Sequence, residues 1–350
     1  MTPRVKSLIA WTGYPLAYVA LLACFARVTF PFERLRDRIV SEFNTHQAPA
    51  SRLRIHDMSG YWLSGIEAQA ISITQLPKPK AGEALADSKP KDLKIDSAHV
   101  SLSLLRVLFG TVALSFGADA FGGKVSGTVA NGSSEQSIDL SLEGLDAGQM
   151  PILDELVGLP MKGGLDGQVE LSLPEHKWVN ADGKLNLSIT GLKVGDGKAK
   201  VLNAIALPEV NIGKVTMSAS VTDGRLKIEK LGAKGADLDL IAEGGARLRD
   251  PVGTSTFDLN LRFKFSDTYR GKNETTRALL GEPGSKTPAL FDLTPQVQKS
   301  KRPDGYYGWR VSGTFDRPVF EPSAGAGAQA AMARPAGADP ATAEPQPPAP

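Results

Sequence analysis

From about residue 55 onward, apolar and polar residues alternate with a period of two. The longest uninterrupted run covers 257–265, and shorter ones cover 138–142, 169–173 and 185–189. Such alternation predicts strands with one apolar face and one solvated face. Pairs of turn-forming residues that separate alternating runs are typical of tight hairpins. These pairs are Gly122-Gly123, Asn131-Gly132, Asp182-Gly183, Asp196-Gly197 and Asp223-Gly224.

The strand pattern predicts a mostly β protein with a long, curled antiparallel sheet domain over residues 47–322. A sheet with one apolar face must bury that face somewhere. It can line a groove for an apolar ligand, curl into an open barrel or pack as a sandwich, and the sequence leaves these three open. Helices are predicted at Pro151–Gly158 and, from a weaker pattern, at Thr275–Leu280.

The pattern before residue 31 is different, because Ser7–Ala26 is apolar and carries no charge. A helix of this length would span the ~30 Å hydrocarbon layer. We therefore expect one transmembrane helix over residues 7–30, preceded by a cytoplasmic segment, 1–6. A cleaved secretory signal and a lipoprotein signal ending at Cys24 are the alternatives.

The orientation of that helix follows from its flanks. Arg4 and Lys6 favour a cytoplasmic N-terminus, whereas the arginines just beyond the helix argue for the opposite. Long downstream domains translocate largely regardless of flanking charge. We therefore expect a protein of the bacterial inner membrane with most of its chain in the periplasm.

Residues 31–46 combine helically spaced apolar residues with several charges, which predicts an amphipathic juxtamembrane helix. Its arginines Arg34, Arg36 and Arg38 would contact lipid headgroups if the helix lies on the membrane. Alternatively, the helix packs on its own β-domain.

Two segments lack any periodicity. Residues 77–92 are polar and rich in Lys and Pro, which predicts an exposed loop. Residues 323–350 are mostly Ala, Gly and Pro, so we expect a disordered tail. The tail is either a docking segment for a partner or a low-complexity extension without a specific role.

Composition and motifs indicate no catalytic chemistry. The net charge is +2 and no basic–aromatic stretch is present, so we expect no nucleic-acid partner. No P-loop, nucleophile elbow or metal-ligand spacing occurs. Asp237 and Asp239 could together hold a cation, but a solvated pair is the simpler interpretation. We expect a protein that is not an enzyme and binds no cofactor or metal.

The aromatic segment Tyr61, Trp62 and Leu63 lies between glycines. Exposed Tyr and Trp side chains often anchor interfaces, so this segment could dock a partner. It could equally form the aromatic corner of a sheet core.

Five phrases, in order, resemble a known family. They are Thr29-Phe-Pro-Phe-Glu-Arg-Leu35, Ser59-Gly-Tyr-Trp-Leu-Ser-Gly-Ile66, Ala120-Phe-Gly-Gly-Lys-Val-Ser-Gly127, Gly148-Gln-Met-Pro-Ile-Leu153 and Trp309-Arg-Val-Ser-Gly-Thr-Phe-Asp-Arg-Pro318. Following an apolar N-terminal segment, they resemble the N component of the bacterial type II secretion system. The β-domain is also similar in pattern to AsmA-like proteins.

The resemblance implies a non-enzymatic accessory component of type II protein secretion, located in the inner membrane. Such a protein would bind other secretion subunits through its periplasmic β-domain, by its sheet edges or a groove. The AsmA-like pattern implies the alternative, a lipid-binding or lipid-transfer protein of the cell envelope that holds acyl chains on its apolar sheet face. The two differ in whether the apolar face is covered and whether the strand edges are free.

Overall fold

The structure is a computed structural model, and its fold rests on one large antiparallel sheet. Fourteen strands follow one another across this sheet in chain order, interrupted by a separate two-stranded hairpin, β9–β10, between β8 and β11. The structure describes residues 14, 17–18, 21–22, 25, 27–47, 51–62, 64–75, 91–103, 106–107, 110–150, 153, 159–197, 200–201, 205–206, 208–285, 289–315 and 317–323.

The strands are long, and most contain nine residues or more. They are β1 (Ser51–Tyr61), β2 (Gly65–Gln75), β3 (Lys91–Leu102), β4 (Val112–Ala120), β5 (Gly123–Asn131), β6 (Glu135–Asp146), β7 (Met161–Pro174), β8 (Asp182–Val194), β9 (Lys200–Val201), β10 (Ile205–Ala206), β11 (Val210–Thr222), β12 (Arg225–Lys234), β13 (Leu238–Arg247), β14 (Thr256–Phe265), β15 (Tyr307–Thr314) and β16 (Arg317–Pro322).

In the part of the chain that the structure describes, four α-helices with defined ends accompany the sheet. They are α1 (Phe32–Gln47), α2 (Asp267–Arg270), α3 (Glu274–Leu280) and α4 (Pro295–Ser300). Helix α1 packs along β1, and the other three form an insert between β14 and β15. The weakly predicted helix at Thr275–Leu280 is confirmed as α3. Its N-terminus is fixed by a capping box, in which Asn273 and Thr276 bond to each other's backbone amides.

Because every strand of the sheet is antiparallel to its neighbours, the connections fall alternately at two ends. We call the end with the β1–β2 turn the Trp62 end. We call the opposite end, where the insert lies, the Tyr269 end. An apolar cluster of Met161, Leu192, Val194, Val215 and Ala233 packs on one face of the sheet near the Tyr269 end.

The expectation of a predominantly antiparallel sheet agrees with the structure, but the predicted membrane-spanning helix is wrong. Within the described residues, no helix is both long enough and apolar enough to cross a membrane. Helix α1 has 16 residues, which span only about 24 Å, and its sequence is rich in charge. Most of the predicted span, 7–30, lies outside the described residues.

The predicted turns, loop and tail agree with the structure only in part, and some of them lie outside the described residues. Asp223-Gly224 forms the β11–β12 turn as expected, whereas Asp182-Gly183 begins β8 and is not a turn. Most of Pro151–Gly158 lies outside the described residues, as do 77–90 of the predicted loop and 324–350 of the predicted tail. Lys91 and Asp92, placed in the loop by the sequence pattern, belong to β3.

Candidate functional site

Ten strands place an apolar residue at one level of the sheet. Residues directly opposite each other in antiparallel strands point to the same face, so register shows which side chains are neighbours. We call this set the central row. It consists of Met58, Ala68, Ala98, Ala118, Val125, Leu142, Gly167, Leu187, Met217 and Leu231.

Apart from Met58, which is buried, and Gly167, which has no side chain, the members of the central row have side chains that are only partly covered. Leu142, Leu187 and Met217 are half-buried, although they lie in the middle of the sheet. On the same face, Val100 and Leu114 are each 41% exposed. An apolar surface of this kind is rarely left open over a long distance in a soluble domain. With neighbouring strands ~4.8 Å apart, the row is about 43 Å long.

Apolar clusters close the two ends of this face. At the Trp62 end, Leu173, Ala181, Val221 and Leu248 form a buried cluster. At the other end, side chains of the sheet pack against the insert, and the buried members of that cluster are Val210, Leu238, Tyr269, Leu279 and Leu280. From β7 to β12, the half-buried strip therefore lies between buried clusters at the two ends of the strands.

The loop after β7 strengthens the closure at the Trp62 end. The carboxylate of Asp250, which follows β13, accepts hydrogen bonds from the backbone amides of Trp178 (3.0 Å) and Val179 (3.3 Å). This loop thus reaches across the ends of β8, β11 and β12. Its contact with Asp250 holds Trp178 against the cluster around Leu173.

The first edge of the sheet is covered by side chains of α1 and the preceding residues. Asn44 donates to the carbonyl of Leu53 (3.1 Å) and accepts from its amide (2.7 Å), as a neighbouring strand would. Arg36 donates to the carbonyl of His56 (3.1 Å) and Arg27 to that of Gly60 (2.7 Å). Edge groups satisfied in this way are not available to another strand.

The last edge, on β16, is protected by proline. In an antiparallel pair, the backbone amides of alternate residues point towards the neighbouring strand. The amide of Ser323 donates to the carbonyl of Gly308 (2.8 Å), so the amides at positions 321 and 319 also point towards β15. Amide positions 318, 320 and 322 therefore point away from β15. Two of these three residues, Pro318 and Pro322, have no N–H, so the free edge offers one donor.

The opposite face of the sheet is hydrophilic. Ser126, Ser141, Gln168, Asn186 and Ser218 lie side by side in register. Two open depressions of about 460 and 500 Å³ lie along this face. Their lining carries hydroxyl, amide and carboxylate groups, and Asp139 lies directly opposite Glu170 on β6 and β7. The apolar face is the stronger candidate because it continues across ten strands, whereas each depression spans four.

The structure separates the aromatic residues singled out in the sequence. Tyr61 is half-buried on the hydrophilic face, where its ring stacks on His99 with centroids 4.2 Å apart. Trp62 is 76% exposed at the tip of the β1–β2 turn, and its carbonyl accepts a hydrogen bond from Arg27. Leu63 lies outside the described residues.

The three arginines of α1 divide between two surroundings. Arg36 is held by the carbonyl of His56 and by the carboxylate of Asp37 (3.0 Å). Arg34 and Arg38 are exposed. The helix packs against β1 through Arg36, Asn44 and its apolar side, which leaves two of the three guanidinium groups facing solvent.

Asp237, one of the two carboxylates considered for a cation, is engaged by groups of the protein itself. Asp237 is buried and accepts a hydrogen bond from the amide of Asn211 (2.8 Å), with Lys272 at 3.4 Å. Its role is to fix the start of β13. Among the residues that the structure describes, no group of His, Cys, Asp or Glu could hold a metal ion.

Sequence reasoning missed two features, the packing of Tyr269 and the insert against the sheet and a row of polar residues at the Trp62 end. Burial raises the pKa of Tyr269 well above its usual range, with a smaller contribution from the charge of Asp237. The row contains Thr222, Arg225, Arg247, Thr256, Thr314 and Arg317. It becomes visible only when register is known, because its members are scattered over 96 positions of the chain.

Comparison with protein-family models, with curated proteins and with solved structures found no match.

Proposed function

We propose that this protein binds the acyl chains of lipids on the apolar face of its sheet and acts in lipid handling at the bacterial cell envelope. The observation that carries the proposal is the central row, which is apolar in ten consecutive strands of the sheet and half-buried over most of its length. A lipid chain laid along the row would cover this surface, as apolar ligands do in binding sites lined by aliphatic side chains.

The arrangement of the sheet supports binding on the face. Within the described residues, no second sheet packs over the central row, so the sandwich architecture is not formed there. The clusters around Leu173 and Tyr269 cover the ends of the face but leave its middle half-exposed. An apolar strip with closed ends suits a long, flexible chain that enters along the length of the row.

The edges of the sheet also favour acyl-chain binding over the alternative, in which a partner docks by adding a strand to the sheet. Such docking requires a row of free backbone donors and acceptors. Asn44, Arg36 and Arg27 occupy groups on β1, and Pro318 and Pro322 remove donors from β16. The accessory role in type II secretion stays a prediction from the resemblance.

The test is native mass spectrometry with lipid extraction on the purified full chain. We expect phospholipid to co-purify in stoichiometric amount. Leu187→Asp places a carboxylate in the central row and should reduce bound lipid by tenfold or more, since burying a charge against an acyl chain is costly. Asn186→Asp introduces the same charge one residue away on the hydrophilic face and should leave lipid content unchanged.

Circular dichroism establishes that both variants are folded. A folded wild-type protein that purifies without lipid and takes up no added phospholipid would contradict the proposal. Equal lipid loss in Leu187→Asp and Asn186→Asp would show that the effect does not come from the apolar face.

A further inference from the structure

Exposed apolar side chains gather at the Trp62 end of the sheet. Trp62 at the β1–β2 turn is the most exposed of them, and others stand in or next to four further connections at the same end. These are Val107 and Val112 near the β3–β4 connection, Val179 after β7, Val252 after β13 and Phe315 after β15. Scattered exposed apolar residues are ordinary, but six of them at the connections of one end indicate a contact surface.

The same end carries arginines without acidic partners. Arg225 and Arg247 lie directly opposite each other on β12 and β13. Like charges facing each other across antiparallel strands are unfavourable. Within the described residues, neither arginine forms a salt bridge, and both are exposed. Arg249, just beyond β13, is also exposed, and its side chain has no ion-pair partner there either.

Three acidic residues of this end bond to groups other than these arginines. Asp250 accepts from the amides of Trp178 and Val179, and Asp182 accepts from the amide of Asp223 (3.1 Å). Glu175 pairs with Lys177 at 2.8 Å. Within the described chain, no carboxylate forms an ion pair with these guanidinium groups. Guanidinium groups bind phosphate through charge-assisted, often bidentate hydrogen bonds.

The chain before α1 reaches the sheet at this end. Arg27 bonds to the carbonyls of Gly60 and Trp62, so the helical residues just before it also lie near the Trp62 end. Leu21, Phe25 and Val28, apolar residues of that segment, are exposed. Apolar side chains and unpaired arginines at one end match the two layers of a phospholipid surface, the acyl boundary and the headgroup phosphates.

We infer that the Trp62 end rests on a bilayer surface that contains anionic phospholipid. Arg225, Arg247 and Arg249 contact headgroup phosphates, and Trp62 inserts at the acyl boundary. This inference builds on the proposed function, because it names the place at which lipid moves between the membrane and the apolar face. Contact with the surface does not require any helix to cross the bilayer.

Flotation of the full chain with vesicles tests the inference. One set of vesicles is phosphatidylcholine, and the other is phosphatidylcholine and phosphatidylglycerol in equal parts. We expect tighter binding to the anionic set. Arg225→Gln combined with Arg247→Gln should weaken that binding by about tenfold or more, since each basic residue near an anionic surface contributes roughly fivefold.

The matched control removes two positive charges from the opposite end. Lys214→Gln combined with Lys234→Gln changes exposed residues of β11 and β12 at the Tyr269 end and should leave vesicle binding unchanged. Trp62→Ser should weaken binding to both vesicle sets, because its contact is apolar, while Leu293→Ser at the Tyr269 end should not.

Three outcomes would overturn the inference. The first two are an equal loss of vesicle binding in the two double variants and equal binding of the wild-type chain to both vesicle sets. The third is that the Arg225/Arg247 variant loses binding of inorganic phosphate but still binds vesicles. The last would assign the arginines to free phosphate. Lipid content measured by mass spectrometry keeps the two proposals apart. A chain that holds lipid but ignores vesicles refutes the membrane surface alone, and a lipid-free chain refutes acyl-chain binding.

Discussion

At the residue scale, Tyr269 shows how one side chain fixes the insert against the sheet. The residue is fully buried, its hydroxyl donates to the carbonyl of Pro208 (2.7 Å) and its ring stacks on Phe265. Burial raises its pKa above the ordinary value of 10.0, and the nearby charge of Asp237 acts in the same direction. Nothing in the sequence distinguishes Tyr269 from the exposed tyrosines, because its burial depends on contacts with β11 and β14.

The raised pKa makes stability depend on alkaline pH. Since the folded state holds the proton more tightly than the unfolded state, the stabilisation is complete below about pH 10 and is lost as the pH rises further. Tyr269→Phe should lower the free energy of unfolding by about 1 kcal/mol at neutral pH, through the lost hydrogen bond. It should also reduce the decline above pH 10. Urea denaturation at a series of pH values measures both effects.

The control for this prediction is Tyr306→Phe, which removes a hydroxyl from a half-buried tyrosine outside the cluster around Tyr269. An alkaline decline that is as steep in Tyr269→Phe as in the wild-type chain would show that the Tyr269 hydroxyl does not cause it. The pKa of Tyr307 is also raised, by burial and by its hydrogen bond to Asp292. Part of the loss of stability above pH 10 should therefore persist in Tyr269→Phe.

At the scale of the element, most strands could be predicted and their connections only in part. Alternation identifies β14 and β8 because each has one face in contact with apolar neighbours. The Asp182-Gly183 pair misleads because glycine serves another purpose there. A Cβ on Gly183 would lie 2.0 Å from the carbonyl oxygen of Glu170, so the residue permits close pairing of β7 and β8. The turn is made instead by Glu175–Ala181.

The prediction of a membrane span was wrong because it relied on the apolar composition and length of residues 7–30. An uncharged apolar stretch predicts a membrane span from its length alone, yet the longest described helix, α1, begins only after Pro31 and is charged. The candidate site was predictable as an apolar face, since alternation shows that one side of each strand is apolar. Its continuity depends on register, which relates residues as distant as Met58 and Leu231 and cannot be derived from local pattern.

The β16 edge yields a prediction about self-association. Pro318→Thr restores an outward N–H and should increase association between copies through this edge, measured by sedimentation velocity as a rise in the dimer fraction. Val319→Thr is the control, because the amide of Val319 already points towards β15 in the ladder. If the dimer fraction of Pro318→Thr equals that of the wild-type chain, the edge is protected by something other than proline.

At the scale of the whole molecule, the sheet is a single layer in which the end clusters supply much of the packing. Met161 and Val215 are buried near the Tyr269 end and Leu173 and Val221 near the Trp62 end, while the central row between them is half-buried. A bound acyl chain would complete the missing layer. Sequence alone could not establish this, since alternation shows an apolar face but not what covers it.

Bound lipid should therefore stabilise the whole fold. Ligand at about 100 times its dissociation constant adds roughly 2.7 kcal/mol to the free energy of unfolding, so the delipidated chain should melt several degrees below the loaded chain. Differential scanning calorimetry before and after lipid extraction measures the change, and adding phospholipid back should restore the melting temperature. The same melting temperature in both states would argue against a lipid that completes the fold.

The covered edge of β1 has a consequence for how the chain is made. Helix α1 precedes β1 in the sequence, so its side chains emerge from the ribosome before the strand edge that Asn44 satisfies. Each later strand then meets a neighbour that is already synthesised, apart from the excursion through β9 and β10. The sheet can thus grow in one direction during translation, from an edge that is blocked at the start to a proline-bearing strand that ends the growth.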